Sequence, residues 1–387
     1  MSEFIFDERP KFGYHSAKIK VLGVGGAGSN MVNSMISGGL ENIGFIVANT
    51  DAQSLKLSTA PQKIQIGIKS SKGLGAGANP EIGKRAAEED IDKIVESVSD
   101  ADVLFIAAGL GGGTGSGALP VITKALKEKD ILTIVIATKP FVFEGKRRMK
   151  IAEEALSIIK KDVDTIVILP NQKLMDLAEE PVSLMEALSM TNGLLFQFVK
   201  SISDIVDKAG HINVDYADVK AIMKKRGLAV IGMGRASGSD RATKAAMQAI
   251  SSPLLENVEI SGAQGVLINI SGSSNLGLNE IGTAAMLISQ KAHEDANIVF
   301  GSVIDDSLED EIAVTVIATG FYNNLHGISS EAREYDFNKE ESGLTYKSQP
   351  VQEKTNAKGR SEGYNSVDFN DLDIPTVVRQ MVREKQS

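Results

Sequence analysis

Five of the seven residues from Gly111 to Gly117 are glycine, and they follow the apolar run Val103-Leu104-Phe105-Ile106 almost directly. Glycine loses more backbone freedom on folding than any other residue, so so dense a cluster needs a compensating task. A second segment, KVLGVGGAGSN, has the same context, and its Gly23, Gly25 and Gly28 satisfy GxGxxG. In both, a β-rich run ends in glycines and a helical pattern begins. Such a turn lets backbone N–H groups approach an anion with no Cβ in the way, while the helix N-terminus adds favourable dipole charge.

A single GxGxxG with Asp51 about twenty residues further on fits a dinucleotide site, so a nicotinamide-dependent oxidoreductase is a competing reading. The second loop argues against it, because a dinucleotide carries one pyrophosphate and normally needs one such loop. A third glycine-rich segment, GLGAGANP at Gly73–Pro80, points to a longer polyphosphate gripped from several sides. Thr114 and Ser116 offer hydroxyls to phosphate. The sequence contains no GxxxxGK[ST], which excludes a P-loop. Ser116 is not a nucleophile elbow either, because position 114 is threonine.

Composition narrows the chemistry further. The chain has no cysteine, which excludes disulfides, thiolate metal sites and cysteine nucleophiles. His15, His211, His293 and His326 are far apart and give no HExxH-type metal site. A net charge of -9 argues against nucleic-acid or anionic-membrane partners. No apolar run reaches the ~18 residues of a membrane span, and MSEFIFDERPKF lacks a signal-peptide core. The expectation is a soluble, cytoplasmic globular protein.

From Ala17 to Asn171 the runs IKVLGV, FIVANT, KIQIGI, VLFIAA, ILTIVIAT and TIVILP alternate with helical patterns. They are apolar on both faces, as strands of a covered parallel sheet are. A doubly wound α/β domain with its ligand at the strand C-terminal ends is expected. From Ser183 the spacing of Leu184, Leu188, Leu195, Phe198, Ile202 and Ile205 predicts one long, largely buried helix, with Ser183 as N-cap and Gly210 as stop. From Leu228 to Phe321 strand-like runs join helical segments around Arg241–Ile250 and Asn279–His293, giving a smaller α+β domain with a mixed sheet. NIVFGSVI and EIAVTVIATG are separated only by a short acidic turn, which suggests a hairpin. The domain reading is 1–16 extension, 17–182 nucleotide-binding domain, 183–210 connecting helix, 211–321 C-terminal domain. After these come a polar, disordered linker at 322–370 and a short amphipathic docking peptide at 371–387.

GGGTGSG at Gly111–Gly117 resembles the signature of the tubulin/FtsZ family. The similarity continues through VANTDAQSL, GLGAGANPEIGKRAA, KPFVFEGKRRM, NVDYADVK and SSPLLE. The resemblance implies a GTPase that polymerises head-to-tail at the division site, with GTP/GDP as ligand. Mg2+ is then held mainly by the phosphates, without a protein metal site. Carried over by residue, Gly26, Ala27, Gly28, Ser29 and Asn30, with Gly113, Thr114 and Gly115, hold phosphates, while Gly111 and Gly112 shape the loop. Glu144 and Arg148 fall near the ribose, although on spacing alone they are equally an i,i+4 surface pair. Asn171 falls at the sugar–base end and Asn192 at the guanine edge; Leu188 stands where many members carry phenylalanine. Asn213, Asp215 and Asp218 are implied to act in trans on the next subunit's nucleotide, the alternative being helix capping. The C-terminal 211–321 region is then GTPase-activating, and Asp371–Arg383 binds membrane-tether and regulatory division proteins, with no nucleic acid and no direct membrane insertion. A non-hydrolysing nucleotide-binding scaffold is the remaining alternative.

Overall fold

The computed structural model describes residues 17–176, 183–207, 214–224, 227–252 and 260–321. The expected extension, the Gly210 stop, Asn213, the linker and the 371–387 peptide lie outside the described residues. In chain order the first half comprises β1 Ile19–Val24, α1 Gly25–Ser37, β2 Ile43–Asn49, α2 Ala52–Leu57, β3 Gln62–Gln65 and α3 Ile68–Ser71. It continues with α4 Pro80–Val98, β4 Val103–Gly109, α5 Thr114–Leu126, β5 Leu132–Lys139, α6 Lys146–Ile159, β6 Thr165–Pro170 and α7 Asn171–Asp176. Then come α8 Leu184–Asp207, α9 Tyr216–Met223, β7 Gly227–Ser237, α10 Arg241–Ile250, β8 Gly265–Gly272, α11 Leu278–Ser289, β9 Asn297–Ile304 and β10 Glu311–Thr319.

Among the described residues, all ten strands belong to one sheet, ordered β3-β2-β1-β4-β5-β6-β7-β10-β8-β9. The first six pair in parallel, in the order of a doubly wound α/β fold. Alternation along the strands splits their side chains between two cores. Val103, Phe105 and Ala107 of β4 join the core under α1 and α8, while Leu104, Ile106 and Ala108 join the one under α4, α5 and α6. Only three residue pairs, Thr165↔Gly227 to Val167↔Ala229, join β6 to β7. Beyond them β10 runs antiparallel to both β7 and β8.

The expected hairpin is not formed. β9 pairs in parallel with the far edge of β8, and β10 inserts between β7 and β8. β10 is buried along most of its length, whereas β9 is half-exposed, so the more apolar strand takes the central position.

The long helix begins as its sequence indicates. The Glu186 N–H donates to Ser183 Oγ (3.2 Å) and the Ser183 N–H donates to Glu186 Oε2 (2.7 Å), a reciprocal cap. Along α8, Leu195, Phe198, Ile202 and Ile205 share one core with Phe105 and Ile134 on one side and Leu267 and Ile317 on the other. Phe198 meets Phe105 edge to face at 5.9 Å. One helix therefore packs on both halves of the sheet. A third core, under α10 and α11, fills the opposite face of β8 and β10.

Candidate functional site

The two glycine loops meet at the C-terminal ends of β1 and β4. Gly25, at φ +73°, turns the chain from β1 into α1. Close approach then explains Gly28, where a Cβ would lie 2.3 Å from the Ala107 carbonyl oxygen, and Gly115, where it would lie 2.4 Å from that of Gly109. Both helices are thereby seated hard on the strand ends with their N-termini side by side.

These N-termini open onto a cavity of ≈ 740 Å³. Its walls include Gly26, Ala27 and Asn30 from α1, then Gly112, Gly113, Thr114 and Gly115 at the start of α5. Glu144 and Arg148 close one side, and Asn171 and Asn192 with Leu188 close the far end. Glu144 is engaged twice: it pairs with Arg148 and accepts from the Phe141 N–H (3.0 Å), so the i,i+4 pair and the cavity wall are the same structure. Asn171 is buried, and its Oδ1 accepts from Thr191 Oγ1 at 3.4 Å.

Gly28, Ser29, Gly111 and Ser116, all expected at the site, stand behind the lining. Gly28 is the contact with β4. Ser29 is buried and donates to the Gly25 carbonyl (2.8 Å), and the Gly111 N–H donates to Ser116 Oγ (2.8 Å). Ser116 therefore shapes the loop from inside and does not line the cavity. Gly73–Pro80 does not line it either: a Cβ on Gly113 would meet Ala76 Cβ and the Asn79 nitrogen, each at 2.8 Å, so this segment buttresses the glycine loop that opens α5. Sequence reasoning missed Thr138, Pro140, Phe141, Met185, Ser189 and Thr191 in the lining. Thr138 and Pro140 carry a usable signal, because they end a buried strand where α/β ligands bind.

Asp51 accepts from the Gln53 N–H (2.9 Å) and the Ser54 N–H (3.2 Å), capping α2 outside the cavity. The carboxylate that the dinucleotide reading assigns to ribose is thus a helix cap, and that reading has no support. Asp215 occupies the N-cap position of α9 but makes no side-chain cap bond; it and Asp218 are exposed and outside the cavity. Among the described residues no group of three or more His, Asp or Glu converges as a metal site, and no helix is long and apolar enough to cross a membrane.

Two amide-rich helix N-termini facing one cavity, with the Arg148 guanidinium and the Asn171 and Asn192 side chains in its lining, define a nucleotide-binding α/β protein. Residues 18–179 match the tubulin/FtsZ family GTPase domain and residues 227–322 the FtsZ family C-terminal domain. An FtsZ dimer from M. jannaschii is 42% identical, with a TM-score of 0.76 over 80% of this chain and 89% of that one. A point variant of that FtsZ aligns at 42% identity and TM-score 0.75, over 79% of this chain and 92% of the other. CetZ2 from Haloferax volcanii, 22% identical at TM-score 0.68 over 84% and 99% of the two chains, shares the fold. The chain belongs to the FtsZ family, and it is a guanine-nucleotide-binding GTPase.

Proposed function

We propose that this GTPase is a cytoskeletal protein of bacterial cytokinesis whose subunits stack head-to-tail and hydrolyse GTP at the interface between them. A separation carries the reading. The cavity lies at the C-terminal ends of β4 and β5, whereas α9, with Asp215 and Asp218, is bonded to residues preceding their N-terminal ends. The seven residues of β4 alone put roughly 20 Å between these regions. Those carboxylates cannot serve their own cavity, but they meet the next subunit's cavity in a stack. Held permanently beside a triphosphate they would repel it; supplied by a neighbour, they orient the attacking water only on assembly.

Val142, Phe143 and Met185 are exposed around the cavity and give a stacking neighbour an apolar surface. The dimeric state of the 42%-identical M. jannaschii protein supports self-association. Glu144, the acidic side chain of the cavity wall, is already paired with Arg148, so Mg2+ enters on the nucleotide's phosphates. Asn213 is the third residue in this reading to act in trans. The setting is the cytoplasm at the division site, with Asp371–Arg383 recruiting membrane-tether and regulatory proteins.

The test is GTP hydrolysis per subunit across a wide range of protein concentration. The rate per subunit is expected to be near zero at high dilution and to rise sharply above a threshold. A rate strictly proportional to protein from high dilution upward overturns the shared site.

A further inference from the structure

The exposed carboxylates on α9 raise the question of what aims them. Val219, Ile222 and Met223 form the buried face of this eight-residue helix. Burial decides which face turns inward, but it is non-directional and leaves the helix free to slide. Directional bonds fix both ends. At the C-terminal end, Thr319 Oγ1 donates to the Ile222 carbonyl (2.9 Å), and Thr165 Oγ1 donates to that of Met223. At the other end, beside Asp215, the Tyr216 hydroxyl donates to the Asp102 carbonyl (2.9 Å). One turn on, Lys220 reaches Asp130 Oδ1 (3.0 Å) while lying over the Tyr216 ring at 5.7 Å, and Lys224 reaches the same oxygen at 3.1 Å. Asp102 immediately precedes β4, and Asp130 lies two residues before β5, the strands that run to the cavity.

We propose that Tyr216, Lys220 and Asp130 are positioning residues for hydrolysis, a clamp that ties the catalytic end of α9 to the N-terminal ends of β4 and β5. The inference rests on the trans-acting reading of Asp215 and Asp218. Asp215 makes no cap bond of its own, so its place is set by the neighbours that hold Tyr216. Burial and the charges of Asp102 and Asp130 push the Tyr216 hydroxyl up to about 12, so it remains a donor throughout the physiological range. A displacement of about 1 Å in a water-orienting group is enough to slow a reaction severely without touching substrate affinity.

The test compares Tyr216→Phe, Asp130→Asn, Lys220→Gln and Lys220→Arg in the full chain, with Asp215→Asn run beside them. Tyr216→Phe keeps the ring and its packing, and Asp130 is a surface residue, so both variants fold. Turnover at saturating GTP in assembled protein is expected to fall about 5- to 10-fold in Tyr216→Phe, Asp130→Asn and Lys220→Gln. GTP affinity and melting temperature should be unchanged, and Lys220→Arg should recover most of the rate. A turnover loss matched by an equal loss of GTP affinity or of thermal stability makes the contacts merely structural and overturns the clamp. Undiminished turnover in Tyr216→Phe and Asp130→Asn, with Asp215→Asn inactive, overturns the clamp alone. Full turnover in Asp215→Asn removes the trans-acting carboxylate and the clamp with it.

Discussion

The hydroxyls of Thr50 and Thr114 meet at 2.7 Å, joining the residue after β2 to the first residue of α5. Thr50 is fully buried and its carbonyl accepts from Ser71 Oγ (3.1 Å), so it is a fixed point against which the Thr114 side chain is oriented. Thr50→Val keeps the side-chain shape and removes that bond. GTP affinity is expected to fall about fivefold, the worth of roughly 1 kcal/mol for one hydrogen bond. Calorimetric titration checks it; unchanged affinity means that Thr50 does not aim Thr114.

Within the glycine signature, Gly112 and Gly117 have opposite tasks. A Cβ on Gly117 would fall 2.0 Å from the Pro80 carbonyl oxygen and 2.7 Å from the Lys84 nitrogen, both backbone atoms of α4. Gly117→Ala should therefore separate α4 from α5 and destabilise the protein by about 1–3 kcal/mol. At Gly112, which lines the cavity, an added Cβ meets nothing within 4 Å. Gly112→Ala should leave the melting temperature unchanged while weakening nucleotide binding. Equal melting temperatures for the two variants would contradict this division.

Arg241 is buried at the start of α10 and forks onto Glu280 through Nε (2.7 Å) and Nη2 (2.9 Å), while Nη1 donates to the Asp310 carbonyl (2.9 Å). Arg241→Met strands the Glu280 carboxylate and should cost about 2–4 kcal/mol. Lysine cannot reproduce the fork, so Arg241→Lys should recover less than half of that. Denaturant midpoints measure both, and a full recovery by lysine would show that charge alone matters.

The contact between α8 and the turn before β10 should weaken in acid. The Ser307 hydroxyl, and then the Lys200 ammonium at 3.0 Å, hold the Asp305 carboxyl down to about 2. Because its folded value lies below the unfolded one, the stability it contributes is complete above about pH 4 and is lost as pH falls toward 2. The contribution is about 2 kcal/mol, and Ser307→Ala should remove much of it. Urea midpoints at pH 7, 4 and 3 are the measurement; an acid slope identical in Ser307→Ala would exclude this role.

The parallel half of the sheet was legible because strands buried on both faces are continuously apolar, and the start of α8 because Ser183 caps it locally. The pairing of β9 and β10 was not. A short acidic turn between two strands reads as a hairpin, and no local signal states that β10 sits between β7 and β8 while β9 takes the far edge. Ser116 was misassigned for a related reason. At about 100° per residue it sits roughly 200° around α5 from Thr114, so one hydroxyl borders the cavity and the other turns inward. The third glycine segment has phosphate-loop composition but supports the loop from behind, a distinction only the packing makes.

The strands from β3 to β6 all run the same way, and this has a consequence for any stack they build. An antiparallel sheet has two chemically similar ends, but a parallel one has a loop end and a turn end that differ throughout. Stacked as proposed, every filament terminates in an open nucleotide cavity at one tip and in bare aspartates at the other. A nucleotide at the first tip faces solvent and can exchange, whereas every interior nucleotide is roofed by a neighbour. The tips of one filament are thus chemically different objects, with growth and loss governed at each by a different surface.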